Sequence, residues 1–161
     1  MNGMNTRNGL VAGLVATIVL SVLMIAKAAM GLMPNVNAIR MLTHMGAMYV
    51  HTPAVPIMGW IAHFAIGTVL WGLIFAATYR AWPGSAAVVK GIEFSIIAWL
   101  LMMLIVMPMA GAGLFGMRLG MPAPVATLVL HIIYGAVLGG VYAKLQAGGA
   151  SEQAHEGART A

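Results

Sequence analysis

The chain contains no cysteine and no aspartate, and only three glutamates in 161 residues. Without cysteine there is no disulfide framework and no thiolate nucleophile. Charged residues make up 7% of the sequence, against about 25% in an ordinary soluble domain. A soluble protein this small cannot cover its surface with so few charges. That excludes a cytosolic globular enzyme, a disordered chain and a secreted disulfide scaffold. The net charge of +5 comes from eight basic residues scattered singly, so no patch or stripe forms and no nucleic-acid partner is implied. A catalytic set is missing too: Ser21 and Ser95 lie inside apolar runs, and nucleophile, base and orienting acid cannot be assembled. What is abundant is apolar. Hydrophobic residues make up 61% of the chain, which also has 20 glycines and 15 methionines. This is the composition of an integral membrane protein.

Four stretches are long enough to cross a bilayer core, which takes about 20 helical residues. They cover about residues 10–33, 56–79, 86–107 and 124–145. Pro34 and Pro108 stop the first and third, and Pro56 suits a first helical turn. Unbroken apolar runs indicate helices, since barrel strands alternate in shorter segments. The expected fold is an all-α, four-helix transmembrane domain over residues 1–145. Residues 146–161, AGGASEQAHEGARTA after Gln146, read as a disordered polar tail. Ala26-Lys27-Ala28 resembles a signal cleavage site. A retained span is preferred, because the apolar run is long for a signal and has a counterpart later in the chain.

Arg7, Arg80, Lys90, Lys144 and Arg159 fall on the side of both termini; Arg40 and Arg118 fall on the other, with Lys27 able to snorkel towards it. The bias places both termini in the cytoplasm. Trp60, Trp82 and Tyr49 sit near the expected interfaces, as belt aromatics do.

The chain also repeats itself. HFAIGTVLWG (63–72) and HIIYGAVLGG (131–140) share five of ten residues in register, including the histidine. GLVATIVLSVLM (13–24) and GIEFSIIAWLLM (91–102) share four, with Thr17 conservatively matched to Ser95. Two copies of a two-helix hairpin are expected, related by a pseudo-twofold axis along the membrane normal. Gly9/Gly13 and Gly135/Gly139 have the GxxxG spacing that lets helices approach closely.

On regular helices His63, Gly67 and Leu70 share one face, as do His131, Gly135 and Leu138. Two symmetry-related imidazoles facing the axis could supply both axial ligands of a haem b, with Gly67 and Gly135 leaving room for the macrocycle edge. The plainer reading is a pair of packing histidines, each hydrogen-bonded across the bundle. The inward orientation assumes a regular turn of about 100° per residue throughout. In the loop after span one, Met41, His44, Met45, Met48 and His51 are spaced to share a helix face. Met107, Met109, Met117 and Met121 lie on the same side of the membrane. Thioether and imidazole together suit Cu(I). An amphipathic interfacial helix explains the same pattern. Glu93, the only acid before the tail, is expected to pair with Lys90 or Arg80. Gly111–Gly116 spells GxGxxG, but no strand precedes it, so it reads as a loop.

The MGLMP turn, the IRML segment and the His-x3-Gly helix, within about residues 9–145, resemble a group of small bacterial four-span proteins catalogued as a domain of unknown function. The resemblance implies a bacterial inner-membrane location and brings no activity or ligand. Three functions stay open: a non-catalytic accessory or assembly subunit, partnered by other membrane subunits or by its own copies; a haem- or copper-binding protein; and a small oligomeric transporter or channel.

Overall fold

The computed structural model describes residues 3–160. It is all helical, with no strand among the described residues. Four helices are long and apolar enough to cross a membrane. We number the helices α1 (Gly3–Ala29), α2 (Ala38–Tyr49), α3 (Pro56–Thr78), α4 (Ala87–Met109) and α5 (Ala123–Thr160). A short 3-10 turn, Leu114–Leu119, links the last two. The short α2 is the amphipathic segment. Asn37 caps it, its Oδ1 accepting from the Arg40 N–H at 2.9 Å, as a side-chain N-cap should.

α1 packs between α3 and α5, and α4 packs along α5. The fourth side of the bundle is closed by rings rather than by backbone. Trp71 and Phe75 of α3 meet Phe94 of α4 at ring separations of 5.7 and 5.2 Å. Ala12 and Ala16 of α1, Phe75 of α3 and Tyr134, Leu138 and Tyr142 of α5 fill the centre. On the outer flank of α1, Val11, Leu14, Ile18, Val22 and Ile25 are exposed at spacings of three and four. An exposed apolar stripe of that length belongs against lipid.

The two hairpins cross on glycine. A Cβ at Gly9 would come within 2.6 Å of the Gly72 carbonyl oxygen, and one at Gly13 within 2.7 Å of that of Thr68. In the other hairpin, Gly91 lies on the Gly135 carbonyl and Gly139 on that of Ala87. Only residues without side chains allow backbones this close.

Three helices extend past the limits expected from the sequence. Among the described residues α1 already includes Gly3–Asn8, ahead of the expected start near Leu10. α4 runs through Pro108 to Met109. Its last turns are of the wide π type over Met102–Val106, and a wide turn accommodates the hydrogen bond a proline cannot make. The C-terminal tail continues α5 to Thr160 rather than leaving the helix at Leu145. No proline follows Pro124, and Ala, Gln, Glu and Arg are good helix formers.

Candidate functional site

His63 is 8% exposed, and its Nε2 lies 3.1 Å from Ser21 Oγ on α1. Ser21 donates its one proton to the Thr17 carbonyl at 2.7 Å, so it can only accept from the imidazole. Neutral His63 therefore carries its proton on Nε2, leaving the Nδ1 lone pair. His131 does the reverse. Its Nδ1 donates to the Thr127 carbonyl, 2.8 Å away in its own helix, leaving the Nε2 lone pair. Next to it, Trp99 Nε1 donates to Thr127 Oγ1 at 3.1 Å, and that hydroxyl donates to the Ala123 carbonyl at 2.8 Å.

The two imidazoles thus hold opposite tautomers and bond to different elements, not to each other. Nor are the glycines open. Thr17 closes over Gly67, and Ser95 over Gly135. Tyr134 crosses the bundle to donate to the Gly67 carbonyl at 2.6 Å. A macrocycle edge has no room at either glycine, so the residues present do not fit a haem.

The symmetric His-Gly-Leu face also breaks down in α3. Residues Ala65–Trp71 form a π-type stretch, which holds more residues per turn than an α-helix. Gly67 and Gly72, both against α1, are therefore five apart, where Gly135 and Gly139 are four apart. Leu70 is turned outward, 47% exposed, whereas Leu138 is fully buried. Gly72 does the work of Gly139, not of Gly140 as an ungapped alignment has it. Tyr134 adds a hydrogen bond from the other hairpin to the carbonyl of Gly67, within the widened turn.

The Met/His loop is divided. Met41 packs against a buried methionine pair, Met103 and Met107, beneath Trp99 and Phe115. His44 and Met48 are exposed, Met45 is half-buried, and His51 lies beyond α2 at φ +58°. Tyr49 ties the end of α2 to the Met109 carbonyl at 3.0 Å. No cluster of three or more His, Cys, Asp or Glu forms among the described residues. Of the loop methionines, Met41 and Met107 come together. The unforeseen member is Met103, one turn before Met107 inside α4, a spacing that was readable in the chain.

Glu93 does not form the expected pair. Lys90 donates to the Tyr79 carbonyl at 3.4 Å and lies 4.9 Å over the Tyr79 ring. Glu93 Oε2 is buried with no hydrogen-bond partner. A lysine that caps the end of α3 is not free to turn along α4. At the opposite end of α1, Lys27 donates to the carbonyls of Met33 and Val36 at 3.1 and 2.6 Å, and so holds the turn into α2.

Four apolar membrane-length helices around a filled centre define a multi-pass membrane protein of the small-bundle class. The chain belongs to DUF6789, a family of unknown function, whose profile matches residues 4–153. No curated protein and no solved structure matches it.

Proposed function

We propose that the protein is a non-catalytic accessory or assembly subunit that docks against another helix in a bacterial inner membrane, with both termini in the cytoplasm. The observation that carries this is Glu93. It is the seventh residue of α4, about 9 Å along the helix at 1.5 Å per residue. On the helix wheel it stands about 200° from Gly91, the residue that touches α5. Its neighbours one turn away, Val89 and Ile97, are 45% and 46% exposed. Glu93 itself is half-buried; a carboxyl at membrane depth bordering an outward apolar strip is costly, and such groups mark functional contacts. Its partner in this reading is a membrane helix that presents a basic side chain or a hydrogen-bond donor.

The filled centre and the glycine crossings favour this reading over a pore. We also infer that the two hairpins arose by duplication, which the matched crossings at Gly13/Gly67 and Gly91/Gly135 support.

The test replaces Ile97 with a photo-crosslinking residue in native membranes. The reading predicts one discrete protein adduct, lost when Glu93→Ala is added. Lipid adducts alone, or an adduct indifferent to Glu93→Ala, would contradict it.

A further inference from the structure

A cavity of about 270 Å³ opens between the ends of α1, α3 and α5 on the side of both termini. Its wall is mostly polar: Asn5 from α1, Tyr79 and Arg80 from the end of α3, and Tyr142 and Gln146 from α5. Among the described residues Arg80 is the charged member of this wall, and no carboxylate lines it. Tyr142 is 1% exposed whereas Arg80 is exposed, so the cavity is an open recess at the end of the bundle that reaches one buried side chain. It is smaller than the roughly 300–1,000 Å³ typical of drug-sized ligand pockets, which suits a single head group.

Asn8 is the second observation. It lies one turn in from Asn5 on the same face of α1, at the head of the stripe that continues as Ala12 and Ala16. It is 1% exposed, and neither its amide nitrogen nor its oxygen has a hydrogen-bond partner. Packing at that position would be met by another alanine. Asn8 is not part of the cavity wall, but an unpaired buried amide one helical turn from the wall residue Asn5 calls for a polar partner such as a water or ligand.

The surroundings select the ligand's charge. Arg7, Lys90 and Lys144 belong to the same end of the bundle as Arg80, and Lys90 sits against the Tyr79 ring that forms part of the wall. Trp82, bonded through Nε1 to Thr78 Oγ1 at 3.0 Å, marks the depth at which aromatic residues meet lipid head groups. Basic pockets between membrane helices at this depth recognise phosphate.

We propose that this cavity binds a phosphate group, carried by an anionic phospholipid or free in solution, with Arg80 as its charge partner. The amides of Asn5 and Gln146 and the Tyr142 hydroxyl are its hydrogen-bond donors. Nothing here depends on Glu93 or on a partner helix.

The test uses the full chain in neutral detergent and follows thermal unfolding by tryptophan fluorescence. Short-chain phosphatidylglycerol, phosphatidylcholine and inorganic phosphate are titrated separately. Phosphatidylglycerol is expected to raise Tm saturably, and phosphatidylcholine is not. Arg80→Gln, an exposed position that the fold does not need, is expected to weaken the effect about fivefold, the worth of one charge at a lipid surface. Stabilisation by inorganic phosphate with the same Arg80 dependence also supports the site and assigns it to free phosphate. No stabilisation by either anion, or equal stabilisation by phosphatidylcholine, would overturn the proposal. So would an effect that Arg80→Gln leaves unchanged.

Discussion

The two hairpins place the same kinds of residue at their crossings and still differ in how they are tuned. In α4 and α5, regular helix brings Gly91, Ser95, Gly135 and Gly139 together at four-residue spacing. In α1 and α3, the corresponding contact uses Gly9, Gly13, Thr17, Gly67 and Gly72, and the last two are five apart. A single wide turn absorbs the extra residue and keeps both glycines on α1. The wide turn is also where Tyr134 of the other hairpin donates to a backbone carbonyl, that of Gly67. Similar letters can therefore produce one symmetric contact and one asymmetric surround. The polar sites diverge in the same way. His63 is bonded to Ser21 across the hairpin, whereas His131 bonds within its own helix beside a Trp99–Thr127 pair.

The largest effect is expected at the regular crossing. Gly91→Leu puts a branched side chain into the Gly135 carbonyl, and backbone cannot yield as a side chain can. The expected outcome is loss of the folded bundle, read as loss of a monodisperse peak after detergent extraction. Gly140→Ala is the control. The nearest atom to its added Cβ is Val88 Cγ2 at 3.6 Å, an ordinary contact, so stability should stay within about 0.5 kcal/mol.

The aligned leucines sharpen the comparison next. Leu138→Ala leaves a void in the centre and should cost about 2–5 kcal/mol in reversible detergent unfolding. Leu70→Ala, its sequence counterpart, should cost no more than about 0.5 kcal/mol, because Leu70 faces outward. Equal costs would break the claim that α3 is wound differently.

Ser21→Ala removes the acceptor of a buried imidazole N–H, and should cost about 1–3 kcal/mol. The repeat puts Trp99 where the first hairpin has Ser21, so the matching change in the other hairpin is Trp99→Phe. That variant gives up one bond to Thr127 and should cost about 1 kcal/mol. Of the same size is Tyr134→Phe, worth about 1 kcal/mol. Its signature is local: amide exchange should rise at residues 65–72 and not at 133–140.

Much of this architecture was legible in the chain. Apolar runs give four spans because bilayer thickness dictates their length, and the glycine spacing marks the crossings because close backbone approach admits little else. The three- and four-residue spacing of Met41, His44, Met45 and Met48 marks the amphipathic α2. The histidine arrangement was not legible. A wheel drawn at a constant turn assigns Leu70 and Leu138 to one environment, and no residue in AIGTVLW signals a widened turn by itself. Whether an imidazole bonds to Ser21 or to its own helix depends on tertiary neighbours. Glu93 was misassigned for a related reason: Lys90 is one turn away in sequence, but the Tyr79 carbonyl and ring compete for it and win. The small, polar composition of residues 146–161 carries no signal for the helix that continues α5 to Thr160.

The most direct test is a pair of one-residue deletions. Removing Val69 from the wide turn should bring Gly67 and Gly72 to the spacing of Gly135 and Gly139, and let α3 close as regular helix. Removing Ala136 from α5 should rotate everything beyond it by about 100° and tear Gly139 from Ala87. The account predicts that the Val69 deletion yields a folded, monodisperse protein with a Tm near that of the parent, while the Ala136 deletion yields none. Equal damage from both deletions would show that the extra residue in α3 is not held in a wide turn, and the contrast between the hairpins would fall.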